Sequence, residues 1–523
     1  VSSINFAGAG VVATSSGVGA TITIPGFGPD AQYNLYAGTN AGAASDADTT
    51  FNIGIGFKSG TALNEGDENI LIGTYTGCAL TSGFTNVMVG KNAGKRITTG
   101  KCNVFLGCAA GCGASSGTIS GSCNVAIGDE ALAGLTEGTL NVAIGRRAGC
   151  SITTATQNIL IGSQVGRQIE TSGDNILIGR SIAQENCTPC ANIIMGLEAG
   201  YNLGNACHNV ILGSQAGCDV NTGGCNVLLG AHAGGSLTTG SQNIALGLSM
   251  HCGTVTGDSN IVMGEYAGQC LTSGASNILI GECTARCGTV TGNSNIAIGC
   301  RALCHTTSAS HNISIGYGTG KCSTTCGYNI FFGYRAGNQN TGGQNVFIGR
   351  DAGLFAAGGN YNIAFGNLAL RGTEGSNTGG CNIAIGRNTG QVITSGNNNI
   401  LLGRCAGDTL TTGSCNIIIG CHVNVPDITG NNQLVIGAGT SIWVSGTSDF
   451  NVGIGTTNPS SRLSVAGDAC VSGVITATNF AKADGSSLGG FSQDAQCNLY
   501  AGDGAGAASD ADTTFNIALG CKA

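Results

Sequence analysis

The sequence predicts an all-β protein, a parallel β-solenoid built from 17-residue coils. Three observations lead to this prediction: a motif N-[IV]-x-x-G that recurs along most of the chain, a spacing too short for a strand plus a helix, and 92 glycines with only 5 prolines among 523 residues. The missing Gly-X-Y period and the scarcity of proline exclude collagen. Hydrophobic residues make up 41% of the chain and recur regularly, which argues against disorder.

The motif defines the repeat. Its 22 copies leave 21 intervals, of which all but four have the same length of 17, and the exceptions are 21, 18, 16 and 20. A unit of this length accommodates one solenoid coil, with two or three short strands and glycine-rich corners. The leading asparagines stand at positions 52, 69, 86, 103, 124, 141, 158, 175, 192, 209, 226, 243, 260, 277, 295, 312, 329, 345, 362, 382, 399 and 416.

Each place in the unit has a physical interpretation. Ile or Val at the second and fourth places alternate, so both point to one face of a strand. Glycines at the fifth, ninth and fifteenth places, for example Gly403, Gly407 and Gly413, suit corners that need positive φ or close backbone approach. The leading asparagines are expected to stack at a spacing of ~4.8 Å and to form a hydrogen-bonded ladder.

The third place is unusual because a lone solenoid is expected to expose it to solvent. It is apolar in 20 of 22 copies, counting alanine, and the exceptions are Gly54 and Ser314. We therefore expect the strand to be buried on both faces, one inside the coil and the other against copies of the same chain around a parallel axis. The predicted assembly is a parallel homotrimeric fibre; the alternative is one wide coil that encloses every apolar side chain. The larger third-place residues include Leu71, Met88, Phe105, Ile194, Leu228, Phe331, Phe347 and Ile418.

Four regions follow one another along the chain. Residues 1–33 are predicted to form an N-terminal β connector, 34–437 the repeat array, and 438–493 a non-repeat β connector. Residues 494–523 begin a second array, because they duplicate 30–58 at an offset of 464. We therefore expect the chain to be one stretch of a longer fibre.

Charge and hydropathy restrict the partners. The formal net charge is −8, and no basic run follows a pattern suited to a phosphate backbone, so no nucleic-acid partner is expected. No apolar run approaches the ~18 residues that span a bilayer, so no membrane insertion is expected. The predicted partner is the chain itself.

Several segments resemble a known group of proteins. NVAIG followed by AG and TTG is similar to repeats in tail-fibre and virion structural proteins of tailed bacteriophages, especially phages of marine cyanobacteria. Residues 450–470, Ile4–Val11 and Asn479–Leu488 also resemble segments of those fibres. The strand motif is similar to the head repeat of trimeric autotransporter adhesins as well, whose shorter coils form a left-handed β-roll trimer.

The resemblance implies a left-handed roll, a trimer and a place on the virion surface or outside the cell. It implies the function of a structural fibre serving host attachment as a long rigid spacer. The chain departs from long phage fibres in showing no chaperone or receptor-binding tip, so contact with a host glycan or protein is assigned to a region outside this stretch. A bacterial surface adhesin or extracellular filament is the alternative, followed by a polysaccharide depolymerase.

Cysteines are frequent, with 26 in the chain, and many share a place in neighbouring coils. Stacked residues have Cα atoms ~5 Å apart, within disulfide range. Three interpretations stay open: chemically inert stacked residues, disulfides between coils or chains, and metal binding. Spacings such as that of Cys283 and Cys287 resemble zinc pairs, but the 17-residue period accounts for them. The candidate disulfide residues are Cys190, Cys207, Cys270, Cys283, Cys287, Cys300 and Cys304.

Catalysis is not expected. The acidic residues are scattered, and the pair Asp46 and Asp48 fits a surface turn better than the paired carboxylates of a glycosidase. Histidines fall at different places of the unit, and the glycines belong to the repeat, so a GxGxxG match carries no information. No catalytic, cofactor-binding or metal-binding residues are assigned, and no cofactor is predicted.

Overall fold

The computed structural model describes residues 29–472 apart from 115–118, 185–187 and 251–253, together with the backbone of five short strands outside that range. It divides into two units, residues 1–464 and 465–523. Within these described residues the chain forms strands and turns, without any helix. The predicted all-β class is therefore confirmed.

The strands are β1 Val12–Ser15, β2 Ala20–Thr23, β3 Leu35–Ala37, β4 Ile53–Ile55, β5 Ile70–Ile72, β6 Val87–Val89, β7 Val104–Leu106, β8 Val125–Ile127, β9 Val142–Ile144, β10 Ile159–Ile161, β11 Ile176–Arg180, β12 Ile193–Leu197, β13 Val210–Leu212, β14 Val227–Leu229, β15 Ile244–Leu246, β16 Ile261–Met263, β17 Ile278–Ile280, β18 Ile296–Ile298, β19 Ile313–Ile315, β20 Ile330–Phe332, β21 Val346–Ile348, β22 Ile363–Phe365, β23 Ile383–Ile385, β24 Ile400–Leu402, β25 Ile417–Cys421, β26 Leu434–Ala438, β27 Ser441–Gly446, β28 Val452–Ile454, β29 Leu463–Val465, β30 Ser492–Gln493, β31 Leu499–Ala501 and β32 Ile517–Leu519.

Strands β3 to β26 form one parallel ladder in which each strand pairs with the next along the chain. Equivalent places are in register, as where Ile211 of β13 lies opposite Leu228 of β14. The result is a parallel β-solenoid of about 23 turns, as predicted. Its left-handedness and the number of chains in the fibre stay predictions.

Each coil contains one short strand, so the expectation of two or three strands per coil is wrong. The physical reason is that four places of the coil adopt positive φ, which ends a strand. In the coil at 226–242 the residues concerned are Gly230, His232, Gly234 and Gln242, with φ of 127°, 54°, 61° and 60°. The rest of the coil is a series of turns whose N–H groups donate to carbonyls of neighbouring coils.

The interior of the coil is formed by three columns of side chains. In the coil at 226–242 these are Leu228, Ala233 and Leu237, at the third, eighth and twelfth places, and all are 0% exposed. The expectation that the third place faces away from the interior is therefore wrong. The asparagine at the first place must reach carbonyls inside the stack, so strand alternation turns the third place inward and the second and fourth outward.

The predicted asparagine ladder is present, and Asn226 shows its bonding. Its Oδ1 accepts a hydrogen bond from the backbone N–H of Asn243 at 2.8 Å. Its Nδ2 donates to Oδ1 of Asn209 at 3.0 Å and to the carbonyl of Gly240 at 3.0 Å. The buried amide thus hydrogen-bonds polar groups of three successive coils. A hydrophobic residue at this place would leave those buried groups without partners.

Removal of one ladder amide is expected to destabilise the array strongly. Asn226→Ala leaves the Asn243 N–H and the Gly240 carbonyl buried without partners, and each such group costs roughly 1–3 kcal/mol. We expect the free energy of unfolding to fall by about 3 kcal/mol in urea titrations followed by circular dichroism. Gln242→Ala is the control, because Gln242 is exposed in the same coil and should change the value by less than about 0.5 kcal/mol. Equal losses for both variants would contradict the role given to the ladder.

Both ends of the ladder are capped. At the first coil, Oδ1 of Asp30 accepts the backbone N–H of Asn34 at 2.8 Å, in place of a preceding asparagine. At the last coil, Gln433 replaces the asparagine, and its N–H donates to Oδ1 of Asn416 at 2.8 Å. Strand β27 then pairs antiparallel with β26, which covers an edge that would otherwise be open. The parallel pattern therefore changes at Ala438, beside the predicted boundary.

The second unit contains a short parallel pair. In it, Leu499 of β31 lies opposite Ile517 of β32, the same register as Leu35 and Ile53, the equivalent residues of the first copy. Apart from β1, β2 and β30 to β32, residues 1–28 and 473–523 lie outside the described residues, and so does most of the predicted duplicate array at 494–523.

Candidate functional site

The second and fourth places of the 22 coils form a continuous surface, here called the outer apolar face. The second place is always Ile or Val, and the fourth is always Ile, Val, Leu, Met or Phe. Both side chains point away from the coil interior and are partly exposed, as shown by Ile244 at 36% and Phe332 at 53%. The exposure rules out the alternative of one wide coil enclosing every apolar residue.

The outer apolar face is large for a soluble protein. With ~4.8 Å between strands the face runs for roughly 100 Å, and its two columns lie about 7 Å apart, which gives roughly 700 Å² of apolar surface. Exposed patches on single soluble chains rarely exceed a few hundred Å². An apolar face of this size is typical of sites of association.

Exposed aromatic side chains stack at the sixth place of successive coils in the C-terminal half of the array. Tyr317 and Tyr334, at the sixth place of successive coils, stack with their ring centroids 5.3 Å apart. The guanidinium of Arg335 lies 5.2 Å from the Tyr334 centroid, and that of Arg350 lies 6.0 Å away. These cations border the aromatic rings, while the second and fourth places stay free of charge.

One predicted cysteine pair is covalently joined. A disulfide links Cys190 and Cys207, whose Cα atoms lie 4.7 Å apart at equivalent places of neighbouring coils. Their backbones form an isolated parallel bridge, so the ladder itself brings the two residues together.

The other candidate disulfide residues are not joined in this way. Cys283, Cys287, Cys300 and Cys304 carry free thiols, and Cys270 is half-buried. The two sulfur atoms of Cys287 and Cys304 lie 3.6 Å apart. The Sγ atom of Cys283 accepts a hydrogen bond from Arg286 at 3.3 Å.

A separate row of cysteines occupies the tenth place of several coils. Their thiols donate to a backbone carbonyl of the next coil, as Cys218 does to Gly235 at 3.1 Å. Burial is the main cause that raises the pKa of the Cys218 thiol, and the nearby Asp219 carboxylate adds to it. Such thiols hold little reactive thiolate at neutral pH, which favours the inert interpretation for this row. Burial likewise raises the pKa of Cys78, Cys112 and Cys150.

Alkylation rates should separate the two kinds of cysteine within one coil. Cys225 is exposed at the last place of the coil that also contains Cys218. We expect iodoacetamide to modify Cys225 about tenfold faster than Cys218 at pH 7.5. The rates are followed by mass spectrometry after digestion with chymotrypsin and Asp-N, because cleavage before Asp219 places the two cysteines in separate peptides. The Cys218 rate should keep rising at higher pH, because its raised pKa delays formation of the thiolate. Equal rates for the two thiols would contradict this assignment.

Several acidic side chains of the array accept hydrogen bonds from a neighbouring coil or within a turn. Glu198 accepts a hydrogen bond from Gln215 at 2.9 Å, and Asp219 accepts one from Asn202 at 2.8 Å. Asp46 accepts the backbone N–H of Asp48 at 3.1 Å, which is a turn contact. These carboxylates therefore belong to local pairs and turns.

Two groups of side chains bring metal-binding atoms together among the described residues. In the first, the ligand atoms of Cys287, Cys304 and His305 all lie within 4.8 Å of one another. No metal ligand is predicted at these positions from the sequence. The signal that the sequence offers is a pair of cysteines 17 positions apart, with a histidine directly after the second.

The second group consists of Cys405, Asp408 and His422, again within 4.8 Å of one another. Here Oδ1 of Asp408 already accepts a hydrogen bond from Nδ2 of Asn424 at 2.7 Å. One carboxylate oxygen of this group is thus engaged by the protein itself.

Over the part of the chain that the structure describes, no helical segment has the length and apolarity needed to cross a membrane. No protein-family model matches this chain, and no curated protein matches it either.

Proposed function

We propose that the chain is a structural fibre, a long rigid spacer in a tail fibre or similar appendage of a tailed-bacteriophage virion that serves host attachment. The observation that carries the proposal is the outer apolar face, which continues without a charge through all 22 coils. The in-register ladder and its asparagine column support a rod-like role. Resemblance of the repeat to phage fibre proteins supports the virion setting.

The partner proposed for the outer apolar face is the same chain, in a parallel homotrimer. A partner has to present apolar side chains every ~4.8 Å over roughly 100 Å. A second copy of the chain in the same register meets this requirement because it has the same strand spacing. Cyclic symmetry then closes the contact, so that three narrow faces meet around one axis. The preferred number of three follows the resemblance to trimeric fibres and adhesin heads.

The proposal assigns no catalytic role to the array. Glu198 and Asp219 hydrogen-bond amides in adjacent coils, which supports a structural use of its acidic residues. Recognition of a host glycan or protein is placed elsewhere on the fibre, and the proposed location is the virion surface.

Immunogold electron microscopy tests the setting. Antibodies raised against the purified full chain should label an appendage of virions produced by bacteria that carry its gene. Labelling should be absent from the envelope of the same bacteria when they release no virions. Labelling of that envelope instead would contradict the virion assignment and favour a cellular adhesin.

A further inference from the structure

The cluster of Cys287, Cys304 and His305 arises where the repeat is irregular. Asn277 and Asn295 are separated by 18 positions instead of 17, so the tenth place of the second coil meets the eleventh place of the first. The N–H of Cys287 donates to the carbonyl of Cys304 at 2.7 Å, which fixes the two residues side by side. His305 follows directly and adds an imidazole to the same cluster.

Cys304 behaves differently from the other tenth-place cysteines. The thiols of Cys78, Cys112 and Cys218 donate to a carbonyl of the next coil at 3.1–3.4 Å. The Cys304 thiol is directed at the sulfur of Cys287 instead, at 3.6 Å. Cys304 is only 5% exposed, so these two sulfurs form a partly buried pair with a nitrogen ligand beside them.

The distance between the sulfurs fits a shared metal ion. Two sulfurs each about 2.3 Å from Zn²⁺ at the tetrahedral angle lie roughly 3.8 Å apart. The observed 3.6 Å is close to this value, whereas a disulfide requires about 2.05 Å. Two thiolates also neutralise the charge of a divalent ion, which reduces the cost of burying it.

We propose that Cys287, Cys304 and His305 bind one Zn²⁺ between neighbouring coils, with a water molecule as fourth ligand. Thiolate and imidazole are ligands that Zn²⁺ prefers, and three protein ligands with one open position is an established arrangement for it. The ion would clamp two coils together where the longer interval disturbs the repeat. This site does not depend on the proposed function of the fibre.

Cobalt substitution tests the site on the full chain under a non-thiol reductant. Co²⁺ bound by two thiolates absorbs through sulfur-to-metal charge transfer, so its titration reports both stoichiometry and ligand type. We expect a saturable absorption corresponding to one ion per chain, displaced by Zn²⁺. Cys287→Ser should reduce the charge-transfer absorption by about half and weaken Co²⁺ binding about tenfold or more. His305→Ala should weaken Co²⁺ binding about tenfold but retain the absorption at saturation. Cys225 is an exposed cysteine of another coil, so the control Cys225→Ser should change neither the absorption nor the affinity for Co²⁺.

Two outcomes of the cobalt titration and the redox test would overturn the proposal. One is saturable Co²⁺ absorption that is unchanged in Cys287→Ser and His305→Ala. The other is a Cys287–Cys304 disulfide in the isolated chain that forms again after reduction although Zn²⁺ is supplied.

Because Cys304 is buried, its replacement also removes packing, so X-ray absorption at the zinc edge of the wild-type chain serves as the second measurement. It should show two sulfurs at about 2.3 Å and one nitrogen at about 2.0–2.1 Å, and a shell of oxygen and nitrogen alone would also overturn the assignment.

Discussion

Gly230→Ala is expected to lower the free energy of unfolding by about 2–6 kcal/mol. Gly230 has φ of 127°, a conformation that residues with a side chain rarely adopt, and the strain costs about 1–3 kcal/mol. A Cβ atom at this place would also clash with the carbonyl oxygen of Gly247 in the next coil, at a separation under 3.0 Å. That oxygen is backbone in a continuous ladder, so relief of the clash requires two coils to separate, at a further cost of about 1–3 kcal/mol.

The damage should be local, because each coil of a solenoid contacts only its neighbours. Hydrogen exchange should accelerate in β14 and β15 before it does in distant strands, and urea unfolding should begin at a lower concentration. Gly235→Ala in the same coil is the matched control. Gly235 does not have positive φ, and the nearest atom to an added Cβ is 3.5 Å away, so the change should stay within about 1 kcal/mol. Equal destabilisation by both substitutions would contradict the geometry assigned to the fifth place.

Glutamate on the outer apolar face is expected to abolish the fibre while leaving the coil folded. The design replaces the second-place residue in alternate coils, which spaces the carboxylates by about 10 Å and keeps their repulsion within one chain small. In the proposed trimer every one of these carboxylates would be buried without a partner, at a cost of several kcal/mol each. Sedimentation velocity should then give the 51.6 kDa of one chain. The positions are Ile53, Val87, Val125, Ile159, Ile193, Val227, Ile261, Ile296, Ile330, Ile363 and Ile400.

The matched control carries glutamate at exposed turn residues of the same coils, such as Thr239 in the coil of Val227. It has the same added charge but leaves the outer apolar face intact, so it should sediment like the wild type. A glutamate variant of the face that keeps the wild-type mass would show that the face is not the contact between chains.

The repeat revealed the coil, its ladder and its glycines directly, because these features need particular residues at fixed places. Gly403 and Gly407 have positive φ as predicted, and at Gly413 a Cβ would clash with a carbonyl oxygen of the next coil. The prediction of which strand face points into the coil is wrong because it treats the Ile-x-Ile pattern as the core. The asparagine at the first place decides the matter, since its buried amide, as in Asn226, turns the third place inward.

Other features had no sequence signal. His232 and Gln242 adopt positive φ without being glycine, so the extra turns that limit each coil to one strand could not be foreseen from composition. The proximity of Cys287 to Cys304 and His305 depends on how a lengthened coil stacks on its neighbour, and only the hydrogen-bond register specifies it.

Photo-crosslinking tests the central claim, that the outer apolar face is the contact between identical chains. A benzophenone amino acid placed at Ile244, which is 36% exposed at the second place, should crosslink to another copy of the chain on irradiation. We expect species at multiples of 51.6 kDa, joined through second-place or fourth-place residues of the same or an adjacent coil. No such species should form when the probe replaces Thr239. Crosslinks that are confined to one chain, or that are as frequent from Thr239 as from Ile244, would contradict it.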